Sequence, residues 1–266
     1  MPRQAVLKFA VITDIHYGIN TGNKLGAKGP QVMNAFERAV KKKHNDFIID
    51  MGDRISTREI AQDRAHMENL MTHFNRMAQP VYHVMGNHDV QRLSRADNAH
   101  ITGQGAESYS LDHSGYHLVI WNPYVDREGT GLRVRPQDLD WLRDDLHTHD
   151  RPTIIFSHAP LYQEKNPHDP EPGYKPAIRF HFDESEKIRE ILEQSRHVRL
   201  CMNGHLHRNH HETINGIHYI AQQSATQAIK TKPHLPTRAW SWVEATADRI
   251  TVKLQGHVRK DYVLDF

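Results

Sequence analysis

The stretch Leu7-Lys8-Phe9-Ala10-Val11-Ile12-Thr13-Asp14-Ile15-His16 decides how the rest of the chain is read. Leu7 to Thr13 is a nearly continuous apolar run, the pattern of a strand buried on both faces in a sheet covered by helices. The run stops at two polar, metal-competent side chains, Asp14 and His16. In an extended segment, residues two apart point the same way, so this spacing aims both donors to one side.

The same design repeats outward from there. Pro30 suits an early helical position, and Val32, Ala35, Phe36 and Ala39 recur at helical spacing up to about Lys43. Phe47-Ile48-Ile49 reads as a second strand, ending at Asp50-Met51-Gly52-Asp53. Glu59 to Met77 reads as a long helix, and Pro80 to Met85 as a third strand ending at Gly86-Asn87-His88-Asp89. Helical crossovers between successive strands favour a parallel sheet with right-handed connections. The strand ends then share one edge, where α/β sheets place their sites. No Gly-x-Gly-x-x-Gly turn follows the first strand, which argues against a dinucleotide fold.

Further on, Asp97 to Gly105 reads as a loop, and Ser108 to Leu111 with Tyr116 to Trp121 as a hairpin. Pro136 to Leu146 is a predicted helix, and Thr153 to Phe156 a buried strand ending at Ser157-His158. The segment 161–182 is rich in proline and poor in periodicity, the profile of a lid or substrate-facing loop. Asp183 is placed to cap a helix through Leu192. Val198 to Met202 is a strand ending at Asn203-Gly204-His205-Leu206-His207. Gly216 to Ala221, Trp240 to Ala245, Ile250 to Leu254 and Tyr262 to Phe266 read as antiparallel strands, with Gln227 to Thr237 as a loop. One two-sheet α/β domain over 1–266 is expected.

Bulk properties narrow the function. Thirty-four basic against 32 acidic residues give a formal charge of only +2, too little to expect an extended nucleic-acid partner. The one basic triplet, Lys41-Lys42-Lys43, complements the dipole at the end of a helix. No run approaches eighteen apolar residues, so no membrane partner is expected. The single cysteine, Cys201, lies in an apolar strand and reads as a buried structural thiol. A cytoplasmic location is the default expectation. The unusual count is histidine, at 22.

The polar residues at the strand ends are Asp14, His16, Asp53, Asn87, His88, His158, His205 and His207. Taken singly, each reads more readily as a structural or surface residue. Together they supply the number of oxygen and nitrogen donors that two neighbouring divalent ions need. A carboxylate must bridge, because neutral imidazole cannot. Glycines at 52, 86 and 204 precede three of the donors and allow close backbone approach.

Asp14-Ile15-His16, Gly52-Asp53, Gly86-Asn87-His88-Asp89, the lone His158 and Gly204-His205-Leu206-His207 together resemble the calcineurin-like metallophosphoesterase superfamily. The chain is most similar in pattern to the small cyclic-nucleotide and glycerophosphodiester phosphodiesterases. The resemblance implies a four-layer αββα sandwich, two mixed β-sheets flanked by helices. It implies one metal held by Asp14, His16, Asp53 and His207, and another by Asp53, Asn87, His158 and His205, with Asp53 shared. His88 would stabilise or protonate the leaving oxygen, and Asp89 would orient His88. Mn or an Fe-containing pair is implied, and the donor set also suits Zn or Co. Relatives include monomers, dimers and rings, so a homo-oligomer stays open.

The chemistry expected is attack by a metal-bridging hydroxide, since the ions lower the pKa of bound water and hold the phosphate in line. A small phosphodiester of the cyclic-nucleotide or glycerophosphodiester type is the leading substrate class. A nucleotide diphosphatase or a phosphomonoesterase would use the same ions, and the former would want a cation such as Arg54 or Arg127. Arg54 stands where many members differ, and reads as an outward salt-bridging residue or a phosphate contact. Tyr17 follows the first ligand pair and is a pocket candidate; Gln222 and Gln223 are candidates for the ion shell. A scaffold protein that had lost its chemistry would lack donors, and none of the seven is missing. A nuclease would want a basic stripe.

Overall fold

The computed structural model describes residues 6–126, 131–163 and 180–266. The strand β1 (Leu7–Ile12) runs parallel to β2 (Phe47–Asp50), and β2 runs parallel to β3 (Val81–His83). The crossovers are α1 (Gly29–Val40), with Pro30 in its first turn, and α2 (Ile60–Phe74).

Past the helix α3 (Arg95–Thr102), the chain builds a second sheet from β4 (Tyr109–His113), β5 (Tyr116–Trp121), β6 (Thr153–Ser157), β7 (Val198–Asn203), β8 (His210–Ile214) and β9 (Ile217–Ala221). Their order is β8-β9-β7-β6-β5-β4. The four central strands are parallel, and the two edge strands are antiparallel to their neighbours. The helices α4 (Pro136–His147) and α5 (Ser185–Ser195) make the crossovers. The chain then returns to the first sheet with β10 (Trp240–Ala245), β11 (Arg249–Gln255) and β12 (Lys260–Asp265), giving the order β12-β11-β10-β1-β2-β3.

Alternation along each strand sorts side chains between layers. Phe9 and Val11 face the second sheet, and Ala10 and Ile12 face α1 and α2. Across the second sheet, Ile154 and Phe156 face inward, while Val119, Ile155 and Cys201 pack against α4 and α5. The result is the αββα sandwich. Phe9 stacks on Phe47 at 4.9 Å and meets Phe156 of the opposite sheet edge-on at 5.5 Å. Truncating a buried phenylalanine of this kind costs about 3–5 kcal/mol.

Four expectations are corrected. The segment around Asp97 is helical, because Ser94 and Asp97 form a reciprocal capping box at the start of α3. Ile217–Ala221 joins the second sheet, parallel to β7 and hairpinned to β8. The turn between β8 and β9 is Asn215-Gly216, both with positive φ, the backbone a two-residue hairpin needs. The segment 228–236 is a small hairpin, with Ala228–Ile229 against Lys232–Pro236. The helix α5 begins after Glu184, one residue beyond the expected Asp183 cap.

Candidate metal centre

The five parallel strands β1, β2, β3, β6 and β7 end on one edge of the sandwich, and each delivers donors there. The ligand atoms of Asp14, His16, Asp53 and His207 lie within 4.8 Å of one another, as do those of Asp53, His158 and His205. Asp53 belongs to both groups. Its Oδ2 lies 3.6 Å from His16 Nε2 and 3.3 Å from His158 Nε2, so a single oxygen faces both clusters. Its Oδ1 accepts the His88 backbone N–H at 2.7 Å.

The ligands converge for a reason other than extended backbone. Asp14, His16, Asp53, His205 and His207 all have φ between 45 and 63°, in the left-handed region. Non-glycine residues there cost about 1–3 kcal/mol each and persist only where the surroundings enforce them. Here, backbone bonds from Asp14 N–H to Gly52 O and from His16 N–H to Asp53 O, both 2.9 Å, lock the two loops together. Gly86 is required by space: a Cβ there would overlap the Asp53 backbone nitrogen and carboxylate.

The donor spacing fits ions. Two donors at right angles around an ion with bonds of about 2.1 Å stand about 3 Å apart, and opposite donors about 4.2 Å. Observed separations are 2.9 Å for His16 Nε2 to His207 Nε2, 3.0 Å for His207 Nε2 to Asp14 Oδ1, and 3.2 Å for His205 Nδ1 to His158 Nε2. The far ring nitrogens of two of these histidines are anchored. His158 Nδ1–H donates to Met51 O at 2.8 Å, and His207 Nδ1 pairs with Gln227 Oε1 at 3.2 Å. Such anchoring selects the tautomer that leaves Nε2 open to a cation. His16 Nδ1 is buried without a partner.

A third group, Asp112, His117 and His149, also meets the distance test. Both nitrogens of His117 are committed to Asp112 and Asp145, and Asp112 pairs with Arg151, so this group does not present a donor set to an ion.

Charge follows the same geometry. Burial pushes the Asp14 and Asp53 carboxyls up, but the surrounding histidines outweigh it and hold both well below the usual range. Burial pushes His158 down, but Asp53 outweighs it and the imidazolium persists to about 10. His207 is likewise raised against its burial by Asp14. Burial prevails at His88, lowered to about 4, and at His205, lowered to about 3. The surrounding histidines therefore favour the ionised form of both buried carboxylates, and the carboxylates in turn favour the protonated form of His158 and His207.

A family profile described as calcineurin-like phosphoesterase matches residues 7–209. The chain belongs to this family. As a calcineurin-like phosphoesterase it is a metal-dependent phosphohydrolase, with two clusters suited to a pair of divalent ions. It is 24% identical to a manganese-dependent ADP-ribose/CDP-alcohol diphosphatase from Arabidopsis thaliana, over 85% of this chain and 88% of that one. It is 22% identical to a 3′,5′-cyclic-nucleotide phosphodiesterase from Nostoc, over 87% and 83%. Its fold matches a dimetal phosphatase from Danio rerio with a TM-score of 0.79 at 16% identity, covering 99% of each chain.

Not every candidate residue of this phosphoesterase faces the two donor clusters. Arg54 does not point outward and has no surface open to a substrate; it is fully buried. Its Nε donates to Asp50, Nη1 to Asp89 and Nη2 to the Val84 carbonyl. Asp89 accepts the backbone N–H groups of Asp53, Arg54 and Gly86 in addition to Arg54 Nη1, so it braces the turn that carries Asp53 rather than the His88 ring. Tyr17 stacks on His66 at 4.0 Å. The Gln222 amide is tied to Val11 O and Ser241, and Gln223 to Asn209. The glutamine that reaches a candidate ligand is Gln227, in the segment read as a loop, and no local sequence signal marks it. His88 stands edge-on to His16 with its Nε2 4.0 Å from Asp53 Oδ2, and Asn87 lines a cavity with His158.

Of the presumed lid, residues 164–179 lie outside the described residues, and with them Glu164, His168 and Asp169. Arg127 also lies outside. The two ends of the presumed 161–182 lid are core: Leu161, Tyr162, His181 and Phe182 are buried.

Proposed function

We propose that the chain is a phosphodiesterase that hydrolyses small diesters. One divalent ion would be held by Asp14, His16, Asp53 and His207, and the other by Asp53, Asn87, His158 and His205. The observation that carries the two-ion site is the single Asp53 oxygen facing both donor clusters, and the diester class is supported by the similar proteins named as cyclic-nucleotide phosphodiesterases. When bound, two such ions supply charge that activates water and neutralises the phosphate. Manganese is the first ion to test, because two of the similar proteins are manganese-dependent by name.

The protein's own residues do the rest. Asp53 would be shared by the two ions, and its Oδ1 accepts the His88 backbone N–H, which orients Oδ2 toward both donor clusters. His88, half-buried and lowered to about 4 by its partial desolvation, would offer a hydrogen bond to a phosphate or leaving oxygen rather than a proton. Overall, one P–O bond forms to a water oxygen, the ester P–O bond breaks, and the proton from water ends on the departing oxygen.

A second reading, cleavage of a nucleotide anhydride, is favoured by the two relatives named as diphosphatases. The discriminating experiment supplies manganese-loaded protein with bis(p-nitrophenyl) phosphate, p-nitrophenyl phosphate, a cyclic nucleotide and ADP-ribose. Turnover of the diesters above both the monoester and the anhydride is expected. Preference for ADP-ribose selects the second reading, and activity on the monoester alone removes both.

A further inference from the structure

After the first ligand loop the chain makes a small hairpin, Asn20–Thr21 against Lys24–Leu25. The hairpin is clasped to the segment that carries Gln227. Leu25 N–H donates to Thr226 O at 3.0 Å, and Ala228 N–H donates to Asn23 O at 2.7 Å. These two bonds bracket an antiparallel bridge between Lys24 and Gln227. A pair bracketed in this way exchanges no backbone bond of its own, and its side chains stand closest, with Cα atoms about 4.5 Å apart.

That register fixes where Lys24 points. Directly opposed residues of an antiparallel pair project to the same face. The Gln227 side chain projects to His207, with Oε1 3.2 Å from Nδ1. The Lys24 side chain therefore leaves the hairpin on the His207 side, while Leu25, next in the strand, is buried. The hairpin is also pressed onto the ligand loop, since a Cβ at Gly26 would overlap the His16 carbonyl oxygen. The Lys24 charge is felt at two rings of the site. At His207, behind burial, Asp14 and Asp53, it works to lower the pKa; at His88, behind burial, Asp53 and His16, it does the same.

Lys24 is half-buried, and among the described residues no carboxylate pairs with it. An ammonium beside two cation sites repels the ions. The repulsion is offset when an anion lies between them.

We propose that Lys24 is a substrate contact: its ammonium donates to a non-bridging oxygen of the phosphate held at the metal centre, from the side of His207 and His88. The proposal rests on the two-ion reading and holds for a diester or an anhydride alike. Such an oxygen carries charge in every phosphoryl substrate. Lysine meets it as a compact point charge on a flexible four-carbon stem. His88 then supplies a neutral donor and Lys24 a charged one, and the ammonium keeps its proton throughout.

The test reads two affinities that should move in opposite directions. Lys24→Met keeps the stem and the backbone bridge and removes the charge. Titrated with Mn, the metal-free variant should bind the ions as tightly as the wild type or more tightly, because a repelling charge is gone. Titrated with inorganic phosphate, the Mn-loaded variant should bind about tenfold more weakly, the scale of one hydrogen bond to a charged group. KM for bis(p-nitrophenyl) phosphate should rise with it, with a smaller change in kcat. Lys24→Arg should retain more phosphate affinity than Lys24→Met, and equality of the two variants would remove the charge from the account. Unchanged phosphate affinity in Lys24→Met would overturn the contact. So would weaker Mn binding alongside weaker phosphate binding, which would mean that Lys24 only props Gln227 against His207. A wild-type protein that takes up Mn and ignores phosphate removes the contact while the ion site stands. A wild type that takes up no Mn fails the two-ion reading, and the contact with it.

Discussion

Arg54 Nη1 donates to Asp89 Oδ2 at 2.7 Å with neither side chain exposed, and the same Asp89 oxygen accepts the backbone N–H of Asp53 at 3.0 Å. A buried guanidinium, itself shared with Asp50, thereby holds the turn on which the central aspartate sits. Burial works against the charge on Arg54, but Asp50 and Asp89 more than offset it and raise its pKa.

Removing that guanidinium leaves Asp89 with backbone donors alone and Asp50 with His83 as its remaining side-chain partner. Arg54→Met is expected to destabilise the fold by about 3–5 kcal/mol. Arg54→Lys should recover part of the loss, since an ammonium keeps the charge but not the fork. Urea unfolding of the three proteins after chelator treatment measures both. A midpoint for Arg54→Met equal to that of the wild type would remove the bracing role.

Gln227 touches no expected substrate, yet it holds the far nitrogen of His207. Gln227→Ala is expected to weaken binding at the Asp14–His16–His207 site by about 10–100-fold, the usual effect of losing such an anchor. Titration of metal-free protein with Mn reads it directly. Gln227→Glu should restore or tighten binding, and a Gln227→Ala protein with two unaltered Mn affinities would contradict the role.

Metal affinity should fall as pH falls. In the metal-free protein, His158 stays protonated up to about 10 and His207 is raised too, while Asp14 and Asp53 are already ionised at neutral pH. A cation must therefore displace protons from histidine, and affinity drops about tenfold per pH unit for each proton displaced. Calorimetry of Mn binding in two buffers of different ionisation heat should register proton release near pH 7. No release would mean that the histidines are neutral before the ion arrives.

His88 is depressed to about 4 by burial, so it carries no charge to lose between pH 6 and 9. His88→Ala is expected to lower kcat by about 10²–10³-fold, the scale for losing one aimed hydrogen-bond donor. His88→Asn, which keeps a donor, should retain part of the rate. The pH profile of kcat should keep its shape over that range in both variants. A profile limb that disappears with His88 would show a proton-transfer role instead.

Much of this was readable in the chain because it is local. Apolar runs such as Leu7–Ile12 and Thr153–Ser157 are strands bounded by their own polar ends, and the donors sit at those ends. Their order, from Asp14 to His207, carries the family. The Ser94–Asp97 capping box and the Asn215-Gly216 turn were equally local signals, and both mark elements that periodicity alone missed.

Residue type, period and spacing were enough to read the parallel strands and to nominate the polar residues at their ends, since each follows from a few neighbours along the backbone; the two-sheet sandwich followed from the family those end residues resemble. Arg54 turning inward, Asp89 serving the Asp53 turn, Gln227 reaching His207 and the cavity beside His158 depended on folding. Each joins segments that meet only when two sheets pack, and a side chain's partner across 35 residues leaves no periodic trace in the chain. The left-handed backbone at five donors belongs with these: Asp and His tolerate it better than most side chains, but it remains costly and is held by the loops packed around it.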